Sequence, residues 1–160
     1  MRLLACFFFL LLFHDPDVTE IRKIYPTAAK SEKIAGELLA KLESIDHKNP
    51  ILVAYKGAAL TLKSKFSKKV LDKIEYFKAG AKLIESAVSS EPRIIEIRVI
   101  RLSVQENVPG IVNYKKNIKE DAAFIYARLQ EIDGPLRDYV VNFILNSKSF
   151  SAEQKQAIRR

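Results

Sequence analysis

Three side chains near the middle of the chain have the spacing of one helix face and the donors to hold an anion. Arg98, Arg101 and Gln105 lie three and four residues apart, so at 3.6 residues per turn they share one stripe. A guanidinium presents a planar fork of N–H donors that matches the two oxygens of a carboxylate or a phosphate. Shifted back by 42 residues, the same places hold Lys56, Ala59 and Lys63. If the two segments are neighbouring helices, Arg98, Arg101, Gln105, Lys56 and Lys63 line a concave basic groove suited to an acidic peptide or protein. The competing expectation is structural. Arg98 and Arg101 would then pair with Glu96, Glu106, Glu120 or Asp121 and fix helix stacking, as helix-surface ion pairs commonly do. In the third copy of the pattern the equivalent places drift to apolar or neutral residues.

Other chemistry finds few carriers. The chain has two histidines, His14 and His47, and one cysteine, Cys6. They offer no metal-ligand cluster and no Ser-His or Cys-His pair to activate a nucleophile. Glu120 and Asp121 are consecutive, so on a helix they diverge and are poorly placed to share a proton. The five glycines form no phosphate-cradling loop. The expectation is a protein with no catalytic residues, no metal and no cofactor. Tyr55, Tyr76, Tyr114, Tyr126 and Tyr139 have rings that can stack bases or contact peptides, but most of them sit beside core positions, where a tyrosine buries its ring and wets its hydroxyl. Only Phe66, Tyr76 and Phe77 come near the lysines, too few interleaved aromatics for a nucleic-acid surface.

The formal charge is +8, and it is concentrated: between Lys56 and Lys82 eight lysines face only Asp72 and Glu75. Such a field attracts acidic proteins, polyanions or anionic lipid without choosing among them. A binder of anionic polymers or of a membrane surface through residues 56–82 is therefore the alternative to the groove. A solvated lysine face serving solubility is the plainest reading of the same residues.

Leu3 to Phe13 is an unbroken apolar run behind Met1 and Arg2, ending at His14, Asp15 and Pro16. It is shorter than the roughly 20 residues of a spanning helix and suits the core of a secretory signal. Residues 1–16 are thus expected to be a signal segment and 17–160 a single exported domain, periplasmic or secreted. Leu3-Leu4-Ala5-Cys6 has the letters of a lipoprotein box, but the apolar stretch follows it instead of preceding it. With Cys6 in the leader, the remaining chain has no thiol, and its stability must come from packing.

The elements that must position these residues are helices. Glycine and proline are scarce, and β-branched residues are scattered among Ala, Leu, Lys and Glu. Pro50, Pro92 and Pro135 recur at intervals of 42 and 43 residues, each expected to open a helix after a tight turn. Helices entering the turns carry apolar stripes: Ile34, Leu38, Leu42 and Ile45; Val70, Leu71, Ile74, Phe77, Ala81, Ile84 and Val88; Ile118, Ala122, Ile125, Leu129 and Ile132. Helices leaving them run to about Phe66, Asn107 and Ser147. The middle one has two apolar flanks, Ile95, Val99 and Leu102 on one side and Ile97, Ile100 and Val104 on the other. Asp17 with Glu20, and Ser151 with Gln154, have capping-box spacing. The polar last helix could close the stack. The expected architecture is all-α, an α-solenoid of about three helix-turn-helix repeats and about seven helices.

Val53-Ala54-Tyr55-Lys56-Gly57-Ala58-Ala59-Leu60 resembles the first helix of a tetratricopeptide repeat, with Gly57 at the small position. Gly80, Ile84, Ala87 and Pro92 resemble its second helix and closing proline. The interval from Gly57 to Ala87 is about eleven residues longer than the usual repeat of roughly 34 residues permits, the signature Trp is missing, and the period falls among HEAT-like lengths. The resemblance covers roughly Ala28 to Ser147, and the chain is also similar to small exported bacterial proteins with degenerate repeats of this type. It implies binding and scaffolding of a protein or peptide, not a reaction.

Overall fold

A computed structural model of the chain describes residues 15–45 and 48–159. The expected signal core and His14, and the polar turn at His47, lie outside the described residues.

The described chain is all-helical: α1 (Val18–Ala28), α2 (Glu32–Lys41), α3 (Pro50–Phe66), α4 (Val70–Ser90), α5 (Ile95–Asn107), α6 (Ile118–Ala127), α7 (Gly134–Asn146) and α8 (Ala152–Ala157). Short 3₁₀ turns occupy Gly110–Val112 and Leu129–Glu131. The starts follow local chemistry, since a helix leaves its first N–H groups without intrahelical acceptors. Asn49 accepts from the amides of Ile51 and Leu52, with Pro50 as the first residue of α3. Ser151 and Gln154 make the expected reciprocal capping box. Asp17 caps α1 through the Thr19 amide, while the Glu20 carboxylate accepts from Lys41 at 2.9 Å. Pro135 is the second residue of α7. Pro92 departs from the expectation: it lies in a turn, and α5 begins three residues later at Ile95.

Packing follows chain order. α1 lies against α2 and α3, α3 against α2, α4 and α5, and α5 against α4, α6 and α7. The α3–α4 pair approaches most closely where Gly57 faces Gly80: a β-carbon on Gly57 would stand 2.6 Å from the Gly80 carbonyl oxygen and 2.8 Å from Ile84 Cγ1. The apolar core is divided in two, and α5 belongs to both parts. Ile97, Ile100 and Val104 join Leu38, Leu52, Tyr55 and Ile84 in the first. Ile95, Val99 and Leu102 join Ile125, Leu129, Val140 and Ile144 in the second. The two flanks legible in the sequence of α5 are these two contacts.

One apolar stripe is corrected by the structure. Ile84 and Val88 of α4 are buried, but Val70, Leu71 and Ile74 are 68%, 80% and 47% exposed. The cover over α4 reaches Phe77, against which Tyr114 packs edge to face with ring centroids 5.5 Å apart. The first two turns of α4 stand beyond it. Periodicity identifies an apolar face; whether another element lies against it depends on the lengths of the neighbours.

Candidate functional site

The structure divides the five groove residues between two places. Arg98, Arg101 and Gln105 face inward, toward α4 and α6. Asp121, fully buried on α6, receives Arg101 Nε at Oδ2 and Arg101 Nη2 at Oδ1, both at 2.7 Å, and Arg98 Nη1 at 2.9 Å. Arg98 Nη1 also donates to Glu120 Oε1 at 2.8 Å, and its Nε to the Pro92 carbonyl at 3.1 Å. Arg101 Nη1 donates to Glu85 Oε2 at 2.9 Å, and the other oxygen of Glu85 accepts from the Tyr114 hydroxyl. Burial works against the Arg101 charge, but the hydrogen bonds and charges of Asp121 and Glu85 outweigh it, and its pKa is raised. Hydrogen bonds from Asn117 and Arg98 hold Glu120 below its usual carboxylate value. Of the carboxylates weighed from sequence, Glu120 and Asp121 are the partners. Glu96 and Glu106 point elsewhere, and Glu85 on α4, which sequence spacing does not single out, completes the set.

Gln105 has no access to solvent, and neither its amide nitrogen nor its oxygen has a hydrogen-bond partner. Each unsatisfied buried polar group costs about 1–3 kcal/mol. Gln105→Met keeps the side-chain length and removes both polar atoms. The variant is expected to be more stable by about 1–3 kcal/mol, read as a higher urea midpoint at unchanged slope. Equal or lower stability would mean that the amide is bonded inside the folded protein.

A second buried polar cluster lies on the opposite stripe of α5. Glu96 accepts from Arg22 Nε and Nη2 at 2.7 and 2.8 Å and from the Tyr55 hydroxyl at 2.7 Å. Tyr25 and Ser103 share a hydrogen bond of 2.8 Å beside it. Burial, with the Tyr139 and Glu96 charges, pushes Tyr55 far above the ordinary tyrosine range, and burial takes Tyr25 to about 12. The hydrogen bond to Glu96 raises Arg22 despite its burial. A third set ties the chain end down, as Glu106 accepts from the Ser147 and Ser149 hydroxyls and from the Ser149 amide. The one local sign of the Glu96 cluster is a carboxylate between two isoleucines. Its partner Arg22, 74 residues away, carries no marker.

Lys56 and Lys63 lie on the other side of α3. With α2 they line an open cleft of about 670 Å³, whose apolar surface comes from Ala35, Leu39, Leu60 and Phe66. Glu32 stands on the α2 wall, Glu43 in the turn that follows it, and the lysines on the α3 wall. Lys56 Nζ donates to the Glu43 carbonyl at 2.7 Å, and Lys63 Nζ rests 4.3 Å from the centre of the Tyr76 ring. Gly36, in the middle of α2, opens the wall: a β-carbon there would meet nothing within 4 Å. The structure therefore does not bring these lysines onto the arginine stripe. Among the described residues no group of three His, Cys, Asp or Glu side chains could hold a metal ion.

No protein-family model matches the chain, and neither a curated protein nor a solved structure resembles it significantly.

Proposed function

We propose that the chain is a non-catalytic interaction module, an exported α-solenoid of degenerate tetratricopeptide-like repeats that holds an acidic amphipathic segment of a partner protein in the α2–α3 cleft. The repeat reading is supported by the spacing of Pro50, Pro92 and Pro135, by the packing of successive helices from α1 to α6, and by Gly57 meeting Gly80 where the paired helices approach. The cleft takes the place of the arginine stripe because Arg98 and Arg101 spend their donors on Asp121, Glu120 and Glu85.

The observation that carries the proposal is Gly36. Glycine in a helix interior costs about 1 kcal/mol relative to alanine, and no packing constraint requires it here. What the missing side chain does supply is room in a cleft with apolar walls. An occupant would set apolar side chains on Leu39 and Leu60 and carboxylates toward Lys56 and Lys63.

Panning the full chain against a displayed library of amphipathic helical peptides tests this. Enriched peptides are expected to carry Asp or Glu along one edge of the apolar face. Gly36→Ala should raise stability by about 0.5–1 kcal/mol. Gly36→Phe should fold with an unchanged urea midpoint or a higher one and lose the enriched peptides, and paired Lys56→Glu and Lys63→Glu changes should reverse the charge preference. Equal binding by Gly36→Phe, or enrichment without acidic bias, would overturn the reading.

A further inference from the structure

The exposed end of the α3–α4 hairpin combines two features that are separately ordinary. At 100° per residue Val70, Ile74 and Leu71 span an arc of about 100° on α4, and all three are exposed. The same stretch of chain carries Lys65, Lys68, Lys69, Lys73 and Lys78, each exposed. Lys65 donates to the Ala29 carbonyl at 2.7 Å. Lys68, Lys69, Lys73 and Lys78 enter no ion pair among the described residues. Asp72 and Glu75 are the acidic residues of this stretch. The turn is held rigidly, with Ser67 Oγ bonded to the Lys63 carbonyl and Ser64 Oγ to the Lys73 carbonyl, both at 2.7 Å.

We infer that this hairpin end docks on an anionic lipid bilayer, with Val70, Leu71 and Ile74 entering the headgroup boundary and Lys68, Lys69 and Lys73 meeting lipid phosphates. The occupant follows from shape and charge. The aliphatic side chains protrude from the end of a hairpin instead of lining a hollow, so a protein partner would have to supply a matching cavity, whereas a lipid boundary accepts convex apolar groups. Unpaired lysines beside them complement anionic headgroups, and the combination of apolar burial with a basic cluster is the pairing that gives peripheral proteins usable membrane affinity. No helix among the described residues is long and apolar enough to cross a membrane.

Cys6→Ser with Leu71→Cys gives one thiol, to be labelled with nitrobenzoxadiazole. Vesicles of phosphatidylcholine containing about 30% phosphatidylserine should shift its emission to the blue and raise its intensity, and pure phosphatidylcholine should not. Lys68→Gln, Lys69→Gln and Lys73→Gln together should weaken partitioning by about a hundredfold, the product of about fivefold for each lysine at an anionic surface. At these exposed positions the substitutions should leave the helical circular dichroism unchanged. An unshifted probe on vesicles that sediment with the protein would overturn the inference. So would a shift that grows with protein concentration in the absence of lipid, which would assign the face to a second copy of the chain.

Discussion

Arg101→Ala is expected to cost about 3–5 kcal/mol of folding stability, the usual consequence of removing one member of a buried ion pair. A domain of this size has about 5–15 kcal/mol in total, so the variant would be close to unfolding at moderate temperature. Asp121 has no solvent to turn to, and three of its hydrogen bonds come from Arg101 and Arg98. Losing Arg101 leaves that carboxylate with one guanidinium and frees Glu85 from its cation. Arg101→Lys should recover only part of the loss, because an ammonium group cannot reproduce the two-pronged contact. Lys63→Ala, at an exposed site, should change stability by less than about 0.5 kcal/mol. Urea denaturation of the three variants decides the matter. A cost below about 1 kcal/mol for Arg101→Ala would show that the guanidinium is dispensable to the fold and would return it to the candidate ligand-binding residues.

Gly80→Ala should also be strongly destabilising, against its local preference. In an isolated helix alanine would be favoured by about 1 kcal/mol. Here the new β-carbon would run into the Gly57 carbonyl oxygen and stand 2.9 Å from Thr61 Cγ2. A backbone oxygen cannot rotate away as a side chain can, so α3 and α4 must separate along their length. Overpacking alone costs about 1–3 kcal/mol, and the separation loosens Ile84, which is fully buried between them. We expect a net loss of about 2 kcal/mol or more. Gly57→Ala should behave alike, and the double variant should cost less than the sum of the two, since one separation relieves both clashes. Gly36→Ala, with open space around it, is the internal comparison and should change stability in the other direction. If Gly80→Ala proved as stable as the parent, the close approach of α3 and α4 would not be required by the fold.

Much of the local structure was legible in the residues themselves. Asn49-Pro50 and Ser151 to Gln154 specify helix starts because the capping groups sit within a turn of the amides they satisfy. The two apolar flanks of α5 were legible because a helix repeats every 3.6 residues wherever it is placed. All of these depend on short-range geometry, which the order of residues carries directly.

The tertiary structure decided which polar groups meet and which faces are covered. Arg98 and Arg101 had several carboxylates within reach in sequence, and the orientation of α6 selected Asp121 and Glu120. Arg22 and Glu96 are 74 residues apart, and nothing local joins them; they meet because α1 and α5 both lie along α3. Val70, Leu71 and Ile74 have the spacing of a core stripe, and only the reach of the neighbouring elements leaves them exposed. The physical reason is the same in each case. Periodicity determines the direction in which a side chain leaves its helix, whereas its partner depends on the relative placement of helices, which is set by the burial of the whole apolar surface at once.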